Sequence, residues 1–251
     1  MKTKIALITG GSRGLGKDMA YAFARQGTDV IITYHSNKEE ADNVVQEITG
    51  QGRKAVALQL DISEMETLDP FIIRLQFALK ELWNTETFDF LINNAGIGNS
   101  TPFLEVKEEV FDYLLNVHFK CVYFLTQKAV PLMNNNGCIL FISTGTTRFC
   151  VPGYSLYASC KGAIEVLCKY IAKEFGSRGI RSNVVAPGPI ETDFNNAALR
   201  NNPERKNFLA AQTPLGRVGK AEDIGGVVAF LCSEEGGWIN GQRIEVSGGI
   251  N

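Results

Sequence analysis

Apolar residues along the chain gather in short runs, and between those runs lie stretches with helical spacing. The run IALITG at 5–10 predicts a first strand, and LGKDMAYAFARQG after it has the period of a helix ending at Gly27. DVIITY at 29–34 predicts strand two, followed by a polar helix from Asn37 to Thr49. KAVALQLDI predicts strand three, and Ser63 with Glu66 has the spacing of a capping box opening the next helix, with Pro70 inside or restarting it. FDFLINNAG predicts strand four, a long helical region runs from Lys107 to Met133 with Pro131 interrupting it, and CILFIST predicts strand five. A helix from Tyr154 to Phe175 leads to IRSNVVAPG as strand six. A helix over Glu222–Cys232 and a closing strand QRIEVSGG complete the series.

Apolar strands alternating with helices imply a parallel sheet covered on both faces, a doubly wound α/β fold. No linker, repeat or low-complexity stretch interrupts the pattern, so residues 1–251 read as one domain. In such a sheet ligands bind beyond the carboxyl ends of the strands. The residues directly after each strand are therefore the ones to inspect.

Composition changes this picture little. Hydrophobic residues make up 45% and charged residues 21%, which suits a large core. A net charge of -2 gives no electrostatic reason to expect nucleic acid or an anionic membrane as partner. No apolar run reaches membrane-spanning length, and the brief run after Met1 ends in glycines and reads as a strand rather than a signal. The six cysteines have no CxxC or CxxH spacing and sit in apolar surroundings, which predicts buried, reduced thiols and a cytoplasmic setting. His35 and His118 lack ligand partners at metal spacing, so no metal site is expected.

After strand one, TGGSRGLG places Gly10, Gly14 and Gly16, with Ser12, Arg13 and Leu15 between them, in a turn opening a helix. Glycines there let backbone amides approach a pyrophosphate at a helix N-terminus. After strand two, Tyr34, His35, Ser36, Asn37 and Lys38 stand where a carboxylate would hold an adenosine ribose and repel a 2'-phosphate. With Arg13 offering a planar fork to a phosphate, this favours NADP(H) over NAD(H). Asp61 and Ile62 close strand three at the adenine position, and Asn94, Ala95 and Gly96 close strand four beside the cofactor. Tyr157 and Lys161, four apart on a helix, share a face. A phenol with an ordinary pKa near ~10 is a poor acid-base group at neutral pH. A neighbouring ammonium brings it nearer working range.

TGxxxGxG, NNAG, a later asparagine, YxxxK and PG in this order resemble the short-chain dehydrogenase/reductase family, and the likeness runs from Lys2 to Asn251. Within it the chain is most similar to 3-oxoacyl-acyl-carrier-protein reductases and related glucose or carbonyl dehydrogenases. The resemblance implies a seven-stranded Rossmann sheet and an NADPH-dependent enzyme interconverting a ketone or aldehyde and an alcohol. Tyr157 would be the acid, Lys161 would also hold the nicotinamide ribose, and Asn116 would anchor a water chain that resupplies the proton. Pro187, Gly188, Ile190 and Thr192 resemble the segment that binds the nicotinamide carboxamide. Homotetramers or homodimers are the implied assembly, and the asparagine-rich stretch after Phe194 is the implied lid.

The family's serine stands thirteen residues before the tyrosine, and here that position is Thr144. Either Thr144 replaces the serine, with Ser143 turned toward cofactor or sheet, or a bulge brings Ser143 into the site; the first is preferred. Tyr154, seven before Lys161, has the spacing of some enoyl-acyl-carrier-protein reductases, and the presence of Tyr157 argues for a pocket role instead. Two alternatives stay in view: an enoyl-thioester reductase using Tyr154, and a non-catalytic nucleotide-binding regulator. LMNNNGC is uncharged where carrier-protein reductases often carry basic residues, and ALKELWNTETFDF lengthens the connection before strand four.

Overall fold

The computed structural model describes residues 3–197 and 199–250. Its strands are β1 (Ile5–Ile8), β2 (Asp29–Tyr34), β3 (Ala55–Gln59), β4 (Phe88–Asn93), β5 (Met133–Ile142), β6 (Arg181–Pro187) and β7 (Arg243–Val246). They form one parallel sheet in the order β3-β2-β1-β4-β5-β6-β7. The winding direction reverses between β1 and β4, so a crevice opens at their carboxyl ends.

The helices are α1 (Gly14–Arg25), α2 (Lys38–Gly50), α3 (Leu68–Trp83), α4 (Glu108–Leu115), α5 (Cys121–Ala129), α6 (Ser155–Glu174), α7 (Phe194–Ala197), α8 (Pro203–Gln212) and α9 (Glu222–Cys232). Strand side chains alternate between two apolar layers. Ala6, Ile8, Val30 and Ile32 pack with Met19 and Phe23 of α1, Val44 of α2 and Val228 of α9. Ile5, Leu7, Ile31 and Leu91 pack on the other face with Phe71 and Leu75 of α3, Leu125 of α5 and Ile164 of α6. Each fully buried aliphatic side chain contributes roughly 1.5–3 kcal/mol, so both layers are needed to fix the crevice between them.

The structure departs from the sequence expectations at four places. Ser63 forms no capping box: its amide and hydroxyl both donate to Asp61 Oδ1, at 2.8 and 2.7 Å, and α3 starts later, at Leu68. A carboxylate two residues away outcompetes the more distant helix amide, and Pro70 falls within the first turn of α3, where its missing N–H costs nothing. The long helix expected over Lys107–Met133 is broken by a π turn at Asn116–Lys120 and ends at Ala129. Strand β5 begins earlier than expected, at Met133, with a register irregularity opposite Phe88–Phe90. Five cysteines are buried, but Cys150 is exposed in the loop before α6.

The extra length before β4 extends α3 to Trp83, at the sheet end remote from the crevice. Trp83 Nε1 donates to Asp29 Oδ2 at 2.8 Å, and Lys54 Nζ donates to the Leu82 carbonyl at 2.6 Å. Its role there is to tie α3 to the start of β2 and β3.

Candidate active site

A cleft of about 480 Å3 lies over the carboxyl ends of β1 and β4. Its floor is the β1–α1 turn. Gly10 has φ +66, and a Cβ there would stand 2.9 Å from Ala95 Cα; one on Gly16 would stand 2.1 Å from the Gly10 carbonyl oxygen. Both positions exclude every side chain. Asn94 fixes the turn by donating Nδ2 to the carbonyls of Thr9 and Gly10, at 2.8 and 3.2 Å. Arg13 precedes α1 and offers no side-chain cap, which leaves the first-turn amides turned to the cleft for an anion. The cradle and the free helix start fit a dinucleotide pyrophosphate.

At the β2–β3 edge, Tyr34 is buried and His35 exposed. His35 Nε2 lies 3.1 Å from Asp61 Oδ2. Burial pushes the Asp61 carboxyl up, but hydrogen bonds from Ser63 and the nearby His35 outweigh it and hold the group below its usual range. Lys38 turns back onto its own helix, bonding Asp42 at 2.6 Å. Tyr34, His35, Asp61 and Ile62 line the cleft; Ser36 stands outside that lining.

At the other end, α6 carries Tyr157 and Lys161 into the cleft, and both are buried. Lys161 Nζ donates to the Ile142 carbonyl at 2.8 Å and lies 5.9 Å from the Tyr157 ring centre. Burial without a carboxylate partner pulls the lysine down to about 8. Burial pushes the Tyr157 phenol well above its ordinary value and Tyr154 adds to this, while a hydrogen bond with Thr144 pulls it back. In the chain alone burial is the largest influence on the phenol; the expected lowering belongs to the complex with the oxidised, positively charged nicotinamide. Tyr157 therefore keeps its proton at neutral pH.

Ser143 and Thr144 end up with separate partners. Ser143 Oγ donates to Glu165 Oε1 at 2.6 Å, so its hydroxyl is committed although the residue borders the cleft. Thr144, extended at φ -156, lines the cleft with Tyr157, and its hydroxyl accepts from the Thr146 amide at 3.3 Å. Tyr154 lies outside the cleft lining, its ring 6.2 Å from that of Tyr157 and its hydroxyl 3.4 Å from Arg205 Nη2 of α8.

Gly10, Ser12, Arg13, Gly14, Leu15, Gly16, Asn94, Ala95, Gly96, Pro187, Gly188, Ile190 and Thr192 all line the cleft. Asn116 does not; it opens the π turn behind it. Ala198, within the expected lid, lies outside the described residues, while α7 and α8 occupy the rest of that segment. His118 was legible only as a residue without metal partners, yet it is 0% exposed and lines the cleft. Its Nε2 donates to the Ile97 carbonyl at 2.8 Å, and its ring meets Tyr157 edge-on at 5.0 Å. Burial, and then the Lys161 charge, hold the imidazole far below its ordinary value, so it is neutral and its Nδ1 is an acceptor. The π turn that aims it left no signal in apolar spacing.

A parallel sheet wound in this order, with a glycine cradle and a buried Tyr-Lys pair at its crevice, defines a Rossmann-type oxidoreductase. The chain matches over residues 10–251 the family described as Enoyl-(Acyl carrier protein) reductase. It is 35% identical to the 3-oxoacyl-[acyl-carrier-protein] reductase of Staphylococcus aureus, covering 99% of this chain and 98% of that one. Two solved structures superpose with a TM-score of 0.94. One is a promiscuous reductase, LugOII, catalysing keto-reduction at C1 in lugdunomycin biosynthesis (35% identity; 99% and 98% of the two chains). The other is the angucycline C-6 ketoreductase LanV with bound NADP (34% identity; 99% and 96%). The chain belongs to the short-chain dehydrogenase/reductase family.

Proposed function

We propose that this protein is an NADPH-dependent reductase of a ketone or aldehyde, with Tyr157 as the proton donor. The observation that carries the reading is a buried phenol beside Lys161, in a cleft that Thr144 also lines and that ends in a dinucleotide cradle. A bound nicotinamide cofactor would supply the hydride; Gly10–Gly16, Asn94–Gly96 and Pro187–Thr192 are the segments to hold it. Tyr157 passes its proton to the carbonyl oxygen, and the Thr144 hydroxyl holds that oxygen in place. Lys161 restores the phenol's proton, with Asn116 anchoring the water chain behind it. The reverse reaction needs phenolate and is therefore favoured at high pH.

Preference for NADPH is supported by the missing carboxylate after β2, by Arg13 in the turn and by the engagement of Asp61 with Ser63 and His35. NADP is also the ligand of the neighbouring ketoreductase structure. A homotetramer or homodimer is supported by exposed Phe111 and Tyr123 on α4 and α5 and by Val166 and Tyr170 on α6. Light scattering giving a multiple of the 27.5 kDa chain bears that out, and a monomer refutes it. Five buried thiols suit a cytoplasmic protein, and no described helix is long and apolar enough to cross a membrane. Cell fractionation tests the compartment: recovery with the cytosolic fraction agrees, and recovery outside the cell contradicts it. The experiment for activity is NADPH oxidation across β-ketoesters, diketones, quinones and sugars, with affinities for NADPH and NADH measured alongside. Turnover of at least one carbonyl class is expected, with NADPH bound ~10-fold tighter or more, the worth of one charge-assisted contact. Binding without turnover on every member would favour a regulator.

The family match names enoyl reduction, which keeps Tyr154 as a second reading. Its phenol, turned to Arg205, stands farther from the cleft than Tyr157 does. Activity on a crotonyl thioester that survives Tyr157→Phe would establish it.

A further inference from the structure

Thr144 sits past the end of β5, where the ladder gives out after Ser143 N donates to the Val185 carbonyl at 2.8 Å. Something other than the sheet must therefore aim its side chain. Two charged residues distant in sequence reach this turn. Arg243 of β7 donates Nη2 to the Thr144 carbonyl at 3.0 Å and to Thr147 Oγ1 at 3.1 Å. Glu165 of α6 takes three bonds on one carboxylate oxygen: from Ser143 Oγ at 2.6 Å, Thr147 Oγ1 at 2.7 Å and Arg243 Nε at 2.9 Å. Glu165 stands four residues after Lys161 and eight after Tyr157, on the helix face that carries both. Its carboxylate thus joins the helix bearing the phenol to the strand end bearing Thr144.

The cluster continues through Glu245, which accepts from Arg243 Nη1 at 3.0 Å and from Arg148 at 2.7 Å through both Nε and Nη2; Arg148 also donates to the Ile250 carbonyl at 3.0 Å. Side chains of Glu165, Arg243 and Glu245 are only 17%, 21% and 19% exposed. Desolvating so many charges cancels most of their mutual attraction, and packed apolar groups of like volume would stabilise the fold as well or better. Stability alone does not account for the cluster, whereas the directed bonds to Ser143 and Thr144 do.

We propose that Glu165 and Arg243 are positioning residues, which set the Ser143–Thr144 backbone so that the Thr144 hydroxyl faces the Tyr157 phenol. This rests on the ketone-reducing reading above. Ser143 is then the anchor of the turn and Thr144 its working end. The chain's threonine in place of serine is held in one orientation from behind.

The test compares Glu165→Leu, Arg243→Met, Arg243→Lys and the double variant Glu165→Leu/Arg243→Met, with melting temperature, kcat and NADPH affinity read for each. Each apolar single variant is expected to lower kcat about ten- to a hundredfold, the scale of a 1 Å misplacement, with NADPH affinity unchanged within about twofold. Arg243→Lys keeps one charge but not the fork, and falls between these and wild type. In the double variant the apolar pair restores the melting temperature, but kcat stays low. In a Thr144→Val background the network variants lose little more, because their effect runs through that hydroxyl. A double variant with both wild-type stability and wild-type kcat overturns the proposal, as does full additivity with Thr144→Val. Tyr157→Phe run in parallel reports on the underlying reading: turnover surviving there overturns that reading and the positioning role with it. Loss there, with a fully active double variant, overturns the positioning role alone.

Discussion

At the scale of single residues, environment separates the hydroxyls that sequence left crowded between 143 and 161. Ser143 and Thr144 both lie past the end of β5, and their hydroxyls separate: Ser143 bonds Glu165, while Thr144 lines the cleft with Tyr157. Thr144→Val should therefore lower turnover by roughly tenfold or more, since it removes the hydroxyl proposed to hold the carbonyl oxygen beside Tyr157. Ser143→Ala removes one anchor of the turn but keeps the Thr144 hydroxyl and the Arg243 contact, and should cost less than Thr144→Val, about the worth of one charge-assisted hydrogen bond. Steady-state kinetics on a good ketone substrate decides between them: loss confined to Ser143→Ala would reverse the assignment. Tyr157 and Lys161 could be named from spacing alone. His118, Glu165 and Arg243 could not, because their significance lies in partners 21, 22 and 99 positions away.

At the scale of elements, α1 and α9 pack closely through Asp18 and Gly225. A Cβ on Gly225 would stand only 2.0 Å from Asp18 Oδ2, so the carboxylate fills the space that the glycine leaves. Burial is the largest influence on Asp18 and raises its pKa; Arg25 lowers it and Glu222 raises it. Oδ2 has no hydrogen-bond partner among the described residues. A folded-state acid raised in this way holds its proton more tightly than the unfolded chain does. Its favourable contribution is complete below the ordinary aspartate value and is lost as pH rises through the folded one. Asp18→Asn should thus raise the melting temperature by a few degrees at pH 7, with the gain vanishing below about pH 3.9. A melting temperature at pH 7 lower than wild type would contradict this. The order of elements was legible because buried parallel strands are continuous apolar runs, as the match of DVIITY to β2 shows. Boundaries failed where side chains compete locally for the backbone, as Asp61 does for Ser63. The π turn at Asn116–Lys120 failed for another reason: one extra residue in a turn leaves no trace in an apolar period.

For the whole molecule, the fold gathers residues from β1, β4, β5, α6 and β6 at a single crevice, so chemistry dispersed over the sequence becomes one site. Tyr157 lines it and Tyr154 packs against that ring from outside, and the account depends on which of these two works. Turnover of NADPH with the best ketone of the panel should fall by ~10²–10⁴-fold in Tyr157→Phe, the worth of general acid catalysis. Tyr154→Phe should stay within about threefold of wild type, since its hydroxyl meets Arg205 rather than the cleft. The most direct measurement is therefore the ratio of these two turnover rates in folded, cofactor-binding protein. Collapse in Tyr157→Phe alone is the predicted result. Survival of Tyr157→Phe together with collapse of Tyr154→Phe would contradict the account.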